Sequence, residues 1–193
     1  MRHITTLLCA AAAMLTLCAC PGNNDFGEPI YNSPVADTVT GTYVGHWRIN
    51  QDEADEGAMT VTDKEMRLAA PPYKSILTRL LGEQEANQAI TNIEAGSYTV
   101  AYSLLGTSDN SSIYELSREP YLFIYHTHGT RKTVRVDFRD KSQAVFSYTS
   151  GMLVVVLQVA QVAIMQGDSQ QVFTPDWTLT FYPDRHESSY LLY

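Results

Sequence analysis

The chain predicts an all-β fold, an antiparallel barrel or sandwich of about eight to ten short strands with a helical insert near residues 73–91. Three observations carry this. Apolar residues alternate with polar ones in segment after segment, turn residues separate those segments at short intervals, and only one stretch keeps helical spacing.

The first strand is clear. Tyr43, Gly45, Trp47 and Ile49 share one face, and Val44, His46 and Arg48 share the other. The acidic stretch Gln51 to Gly57 reads as a connecting loop. Met59 to Thr62 and Glu65 to Leu68 then flank a tight turn at Asp63-Lys64. Pro71-Pro72 stops the pattern, and Ile76, Leu77, Leu80 and Leu81 follow at helical spacing. Gly82 interrupts, and Ala86, Ala89 and Ile90 suggest a second short helix.

Strands return from Ser97. Tyr98, Val100, Tyr102 and Leu104 alternate with polar neighbours, and Gly106 to Ser112 reads as a loop before Ile113 to Arg118. Tyr121 to His128 turns through Gly129 into Thr133 to Phe138, and Gln143 to Thr149 reaches a turn at Ser150-Gly151. Met152 to Met165 is apolar on both parities apart from Gln158 and Gln161, and its density of valine favours a strand. The expectation is that the helical insert covers its outer face while its inner face fills the barrel. Trp177, Leu179 and Phe181 alternate in the last strand.

The amino terminus carries a different message. Arg2 precedes an apolar run from Ile4, which closes on Leu17-Cys18-Ala19-Cys20, the shape of a bacterial lipobox. Residues 1–19 then form a lipoprotein signal peptide, residues 20–37 a Pro/Gly/Asn/Ser-rich tether, and residues 38–193 the single β domain. Cleavage leaves Cys20 as the sole thiol of the mature chain, which excludes an intramolecular disulfide. Acyl chains on that thiol contribute about 0.8 kcal/mol per buried methylene, enough together for stable anchoring. Pro21 stands where an inner-membrane retention signal would place Asp, so the expected address is the outer membrane, with the leaflet open.

Charge narrows the partners. The full chain has a formal net charge of −8, and loss of Arg2 with the leader takes it to −9. Nucleic acid is a poor fit for this balance, because phosphate binding needs clustered Lys and Arg.

Gly45-His46-Trp47 in the first strand resembles the Gly-x-Trp signature of lipocalins and the wider calycin barrels. That resemblance implies that Gly45 permits close packing at the closed end of a barrel. It also implies that Trp47 plugs that end beneath a basic side chain from late in the sequence, for which Arg185 is the candidate. The helices after the third strand depart from the lipocalin order, where the helix comes near the end. More broadly, the lipobox, tether, helical insert and run of carboxy-terminal strands resemble calycin-like lipoproteins of gut anaerobes. This likeness implies an architecture and an envelope location.

Chemical motifs are sparse. His126 and His128 have the spacing of metal ligands on one strand face, but no third ligand is identifiable, and polar residues at a hairpin rim are the simpler reading. Asp52, Glu53, Asp55 and Glu56 lack the offsets of an EF-hand and read as a solvated turn. Nucleophile elbows, zincin motifs and phosphate loops are missing, so the expectation is a non-enzyme without cofactor or metal. The chain has twelve tyrosines. Tyr98, Tyr102, Tyr121 and Tyr125 lie on strand faces, suited to a ligand cavity or to ordinary β packing. Two functions follow as expectations: a barrel lumen holding a small apolar or amphipathic ligand, or a filled barrel contacting another envelope protein through its surface.

Overall fold

The computed structural model describes residues 39–69 and 71–188. The leader, the lipobox cysteine Cys20 and the tether lie outside the described residues.

Among the described residues twelve strands form, and the pairing of eight of them closes a ring. The strands are β1 (Gly41–Ile49), β2 (Asp52–Val61), β3 (Glu65–Leu68), β4 (Ile93–Ala95), β5 (Tyr98–Thr107) and β6 (Ser111–Leu116). They continue with β7 (Tyr121–Thr127), β8 (Thr130–Phe138), β9 (Gln143–Ser147), β10 (Met152–Gln166), β11 (Ser169–Phe173) and β12 (Thr178–Ser188). The order β12-β1-β2-β3-β5-β6-β9-β10 returns to β12 through pairs such as Val155 with Phe181, which makes a closed antiparallel barrel of eight strands. A barrel with a second sheet is therefore the architecture, where the sequence left barrel and sandwich open.

β10 is the branch point. Its first half pairs β9 and β12 inside the barrel; after a register shift between Val159 and Gln161 its second half pairs β8 and β11. The order β11-β10-β8-β7-β4 forms a side sheet continuous with the barrel wall. This explains the apolar run. Along β10 one parity is buried and the other is half-buried almost to its end, and a strand with no wet face reads as near-continuous aliphatic sequence. The expected helical cover over β10 is not what the structure has: the helices α1 (Tyr73–Leu81) and α2 (Glu83–Ile90) pack on β2 and β7.

The acidic stretch is the second correction. Asp52 to Gly57 is the first half of β2, with Asp52, Glu53 and Glu56 opposite Ile49, Arg48 and His46 of β1. Its carboxylates dock the helical insert. Asp55 Oδ2 accepts the backbone N–H of Ser75 in the first turn of α1 (3.4 Å), where Pro72 supplies no side-chain cap. Asp52 takes a charged hydrogen bond of 2.6 Å from Arg79 near the other end of that helix. An acceptor at a helix start satisfies an orphan amide and faces the positive end of the helix dipole.

Asp55 is half-buried, and loss of water raises its carboxyl above the ordinary carboxylate value, against the opposing pull of the Ser75 amide and Lys74. The folded chain thus holds this proton more tightly than the unfolded chain. The stability linked to Asp55 is complete below the ordinary carboxylate value and lost as pH rises through the raised one. Asp55→Asn keeps an acceptor for Ser75 without the charge. It is expected to raise the melting temperature at neutral pH and to lose that advantage well below the carboxylate range. Thermal melts across pH read this, and a destabilised Asp55→Asn at neutral pH contradicts it.

The core is continuous through both sheets. Tyr43, Trp47, Met59, Met66, Leu68 and Phe181 are fully buried in the barrel, and Phe123, Val134, Val136 and Val162 are buried in the side sheet. Ile76, Leu77, Ala86 and Ala89 add the buried faces of the helices.

Candidate functional site

The barrel interior is built by alternation on β1 and its two neighbours. Trp47 stands opposite Phe181 of β12, with ring centroids 5.4 Å apart and both side chains fully buried. Room for the indole comes from Gly57, which pairs across the strands with Gly45. A Cβ on Gly57 would lie 2.6 Å from Trp47 Nε1. A Cβ on Gly45 would lie 2.0 Å from the carbonyl oxygen of Tyr182, because β12 crosses β1 closely at a register shift between Val44 and Gly45. What constrains Gly45 is thus the backbone of β12. Gly57 carries no motif, and only its register opposite Gly45 reveals it.

Arg185 does not cover Trp47. It lies within β12, opposite Val44, on the exposed face of that strand pair, whereas Trp47 belongs to the buried parity. The neighbour on the inner parity is His186, whose ring stacks on Tyr43 with centroids 4.1 Å apart. Cross-strand partners share a face, so a one-residue difference decides which side a residue occupies. On the outer face Arg48 lies 4.9 Å above the ring of Tyr182, and His46 Nδ1 is 3.4 Å from Asp184 Oδ2.

The four tyrosines divide between the two sheets. Tyr98 and Tyr102 are on barrel strand β5, Tyr121 and Tyr125 on side-sheet strand β7. Tyr98 donates its hydroxyl to the carbonyl of Glu119 and Tyr102 to that of Thr62, each at 2.6 Å. Both hydroxyls are spent on tying loops to the sheet. Tyr98 and Tyr121 meet at the junction of barrel and side sheet, with centroids 5.8 Å apart. The hydroxyls of Tyr121 and Tyr125 are buried without a hydrogen-bond partner among the described residues. Burial raises both phenols, that of Tyr125 to about 12, and Tyr73 and Asp55 add to the effect on Tyr121. The structure brings Tyr98 and Tyr121 together but does not gather all four around one space.

The metal reading fails on geometry. His128 and Gly129 both have positive φ, 49° and 72°, as a two-residue type I′ hairpin turn requires. His128 therefore lies in the turn, its Nδ1 3.0 Å from Thr127 Oγ1, while His126 Nδ1 lies 3.3 Å from the carbonyl oxygen of Asn92.

Two concavities among the described residues open outward. One of about 270 Å³ lies between Leu105, Glu115, Asp140 and Gln158, where β8 and β9 part. Another of about 480 Å³ runs beside Tyr102, Ser103, Glu115 and Arg118. Glu115 belongs to both, and an ion pair of 2.8 Å joins Arg118 to Asp140. Leu104 and Leu105 stand exposed on β5, at 55% and 64%.

The fold and its interior define a closed eight-stranded β-barrel protein with a helix-covered side sheet. Comparison with known protein families, with curated proteins and with solved structures finds no match.

Proposed function

We propose that this protein is a lipid-anchored envelope protein that works through its surface, on another protein of the envelope, and not by holding a small ligand in its barrel. The observation that supports this reading is the filled interior. An eight-stranded barrel is just wide enough for side chains to fill or for one small ligand to occupy. Here Tyr43, Trp47, Met59, Met66, Phe146 and Phe181 are each at most 2% exposed, and the grooves described above lie outside the wall. Ligand sites are usually largely preformed concavities of about 300–1,000 Å³.

The lipobox supplies the location in this reading. A domain fixed by acyl chains on Cys20 meets its partners in the plane of the membrane, and the residues after Cys20 give it reach. Native mass spectrometry of the protein extracted from its own host tests the core of the proposal. The mass expected is that of the lipidated chain alone or with a protein partner. A stoichiometric small molecule that survives desalting overturns it. For the anchor, Cys20→Ala is expected to leave the membrane fraction; continued fractionation with membranes defeats the lipobox reading.

A further inference from the structure

The barrel closes on itself, whereas the side sheet ends in two edge strands among the described residues, and they differ. β4 ends the sheet with three residues beside β7. β11 ends it with five, Ser169-Gln170-Gln171-Val172-Phe173, paired along one side with β10 from Val162–Phe173 to Gln166–Ser169. Among the described residues no strand lies along its other side. Edge strands are usually blunted by shortness, by charge, by proline or by a bulge. β11 carries no charge and no proline, its pairing with β10 runs without a register shift, and Val172 is 51% exposed. It offers unpaired amides and carbonyls to any strand that can lie beside it.

We propose that the occupant is β11 of a second copy of this chain, so that two side sheets join antiparallel about a two-fold axis at Gln171. The residues suit such a pairing. With full overlap, Ser169 faces Phe173, Gln170 faces Val172, and Gln171 faces its own counterpart, whose amide both donates and accepts. The flanking acids avoid one another. Asp168 falls opposite Thr174 and Asp176 opposite Gln166, so two chains of net negative charge meet along an uncharged seam. A pair of five-residue strands is far smaller than the roughly 1,200–2,000 Å² of a stable interface. This contact therefore needs the high effective concentration that confinement to a membrane provides, and in that respect it rests on the anchor proposed above.

Cysteine at position 171 tests the geometry. Residues directly opposite in an antiparallel pair have Cα atoms about 4.5–5.5 Å apart, inside the about 4.4–6.8 Å range of disulfides. Full-length Gln171→Cys in native membranes is expected to oxidise to a reducible dimer. Leu122→Cys, exposed on another strand of the same sheet, is expected to stay monomeric. Adding Gln170→Lys and Val172→Lys to Gln171→Cys sets like charges opposite each other and is expected to abolish the dimer, with the melting temperature showing that the domain remains folded. If Gln171→Cys sits in membranes yet dimerises no better than Leu122→Cys, or couples only to a different protein, the pairing is wrong and the anchor stands. If the chain is found outside membranes, the anchor reading fails alone. The same oxidation at millimolar soluble protein then decides the pairing: a Gln171→Cys dimer supports it, and its absence overturns it.

Discussion

Trp47→Ala is expected to destabilise the domain by about 3–5 kcal/mol, the usual cost of removing a buried large aromatic. For a domain of this size that lowers the melting temperature by roughly 10 °C. The indole is fully buried, lies between Gly57 and Phe181, and so meets both strands adjacent to β1. Gly57 has no side chain with which to fill the void, and its neighbours are held by the barrel ladder, so the cavity cannot collapse cheaply. Trp47→Phe should cost less, because Trp47 Nε1 donates to no partner among the described residues and only volume is lost. Chemical or thermal unfolding measures both. Equal and small effects would mean that the interior is not packed around Trp47.

Gly45→Ala is expected to cost about 3 kcal/mol, the upper part of the range for forcing extra volume into a packed site. The atoms in the way are the carbonyl oxygen of Tyr182 at 2.0 Å and Pro183 Cα at 2.6 Å. Both are backbone, so no rotamer change relieves the clash, and β12 itself must shift. That strand closes the barrel between β1 and β10, and the strain is thus carried into the two pairings that complete the ring. Gly106→Ala is the matched control, since a Cβ there meets nothing within 4 Å. Equal melting temperatures for the two variants would remove the close approach of β1 and β12 from the account.

The parts of this fold that alternate were legible. β1 and the first half of β5 set a buried parity against a more exposed one, so period-two patterning located them and the parity of Trp47. Patterning failed where charges serve packing. Asp52 and Asp55 made a strand resemble a loop, because their partners Arg79 and Ser75 lie 27 and 20 residues downstream, on a helix whose position the sequence does not reveal. β11 escaped notice for the opposite reason: at a sheet edge, Ser-Gln-Gln-Val-Phe needs no dry face.

Register was beyond reach. Arg185 was near the right strand end but on the wrong parity to cover Trp47, and only the pairing with Val44 decides that. The division of Tyr98 and Tyr102 from Tyr121 and Tyr125 follows from the branch in β10. One clue to the branch was present, since a fifteen-residue strand is longer than one barrel wall needs.

A barrel filled by its own side chains leaves no space for a ring-sized ligand. Indole titrated into the wild-type domain and into Trp47→Ala, read by calorimetry and by melting temperature, tests it most directly, since an apolar void of ring size takes up a ring-sized guest. Indole is expected to bind and stabilise Trp47→Ala while leaving the wild type unmoved. Saturable, stabilising binding of indole to the wild type would contradict it.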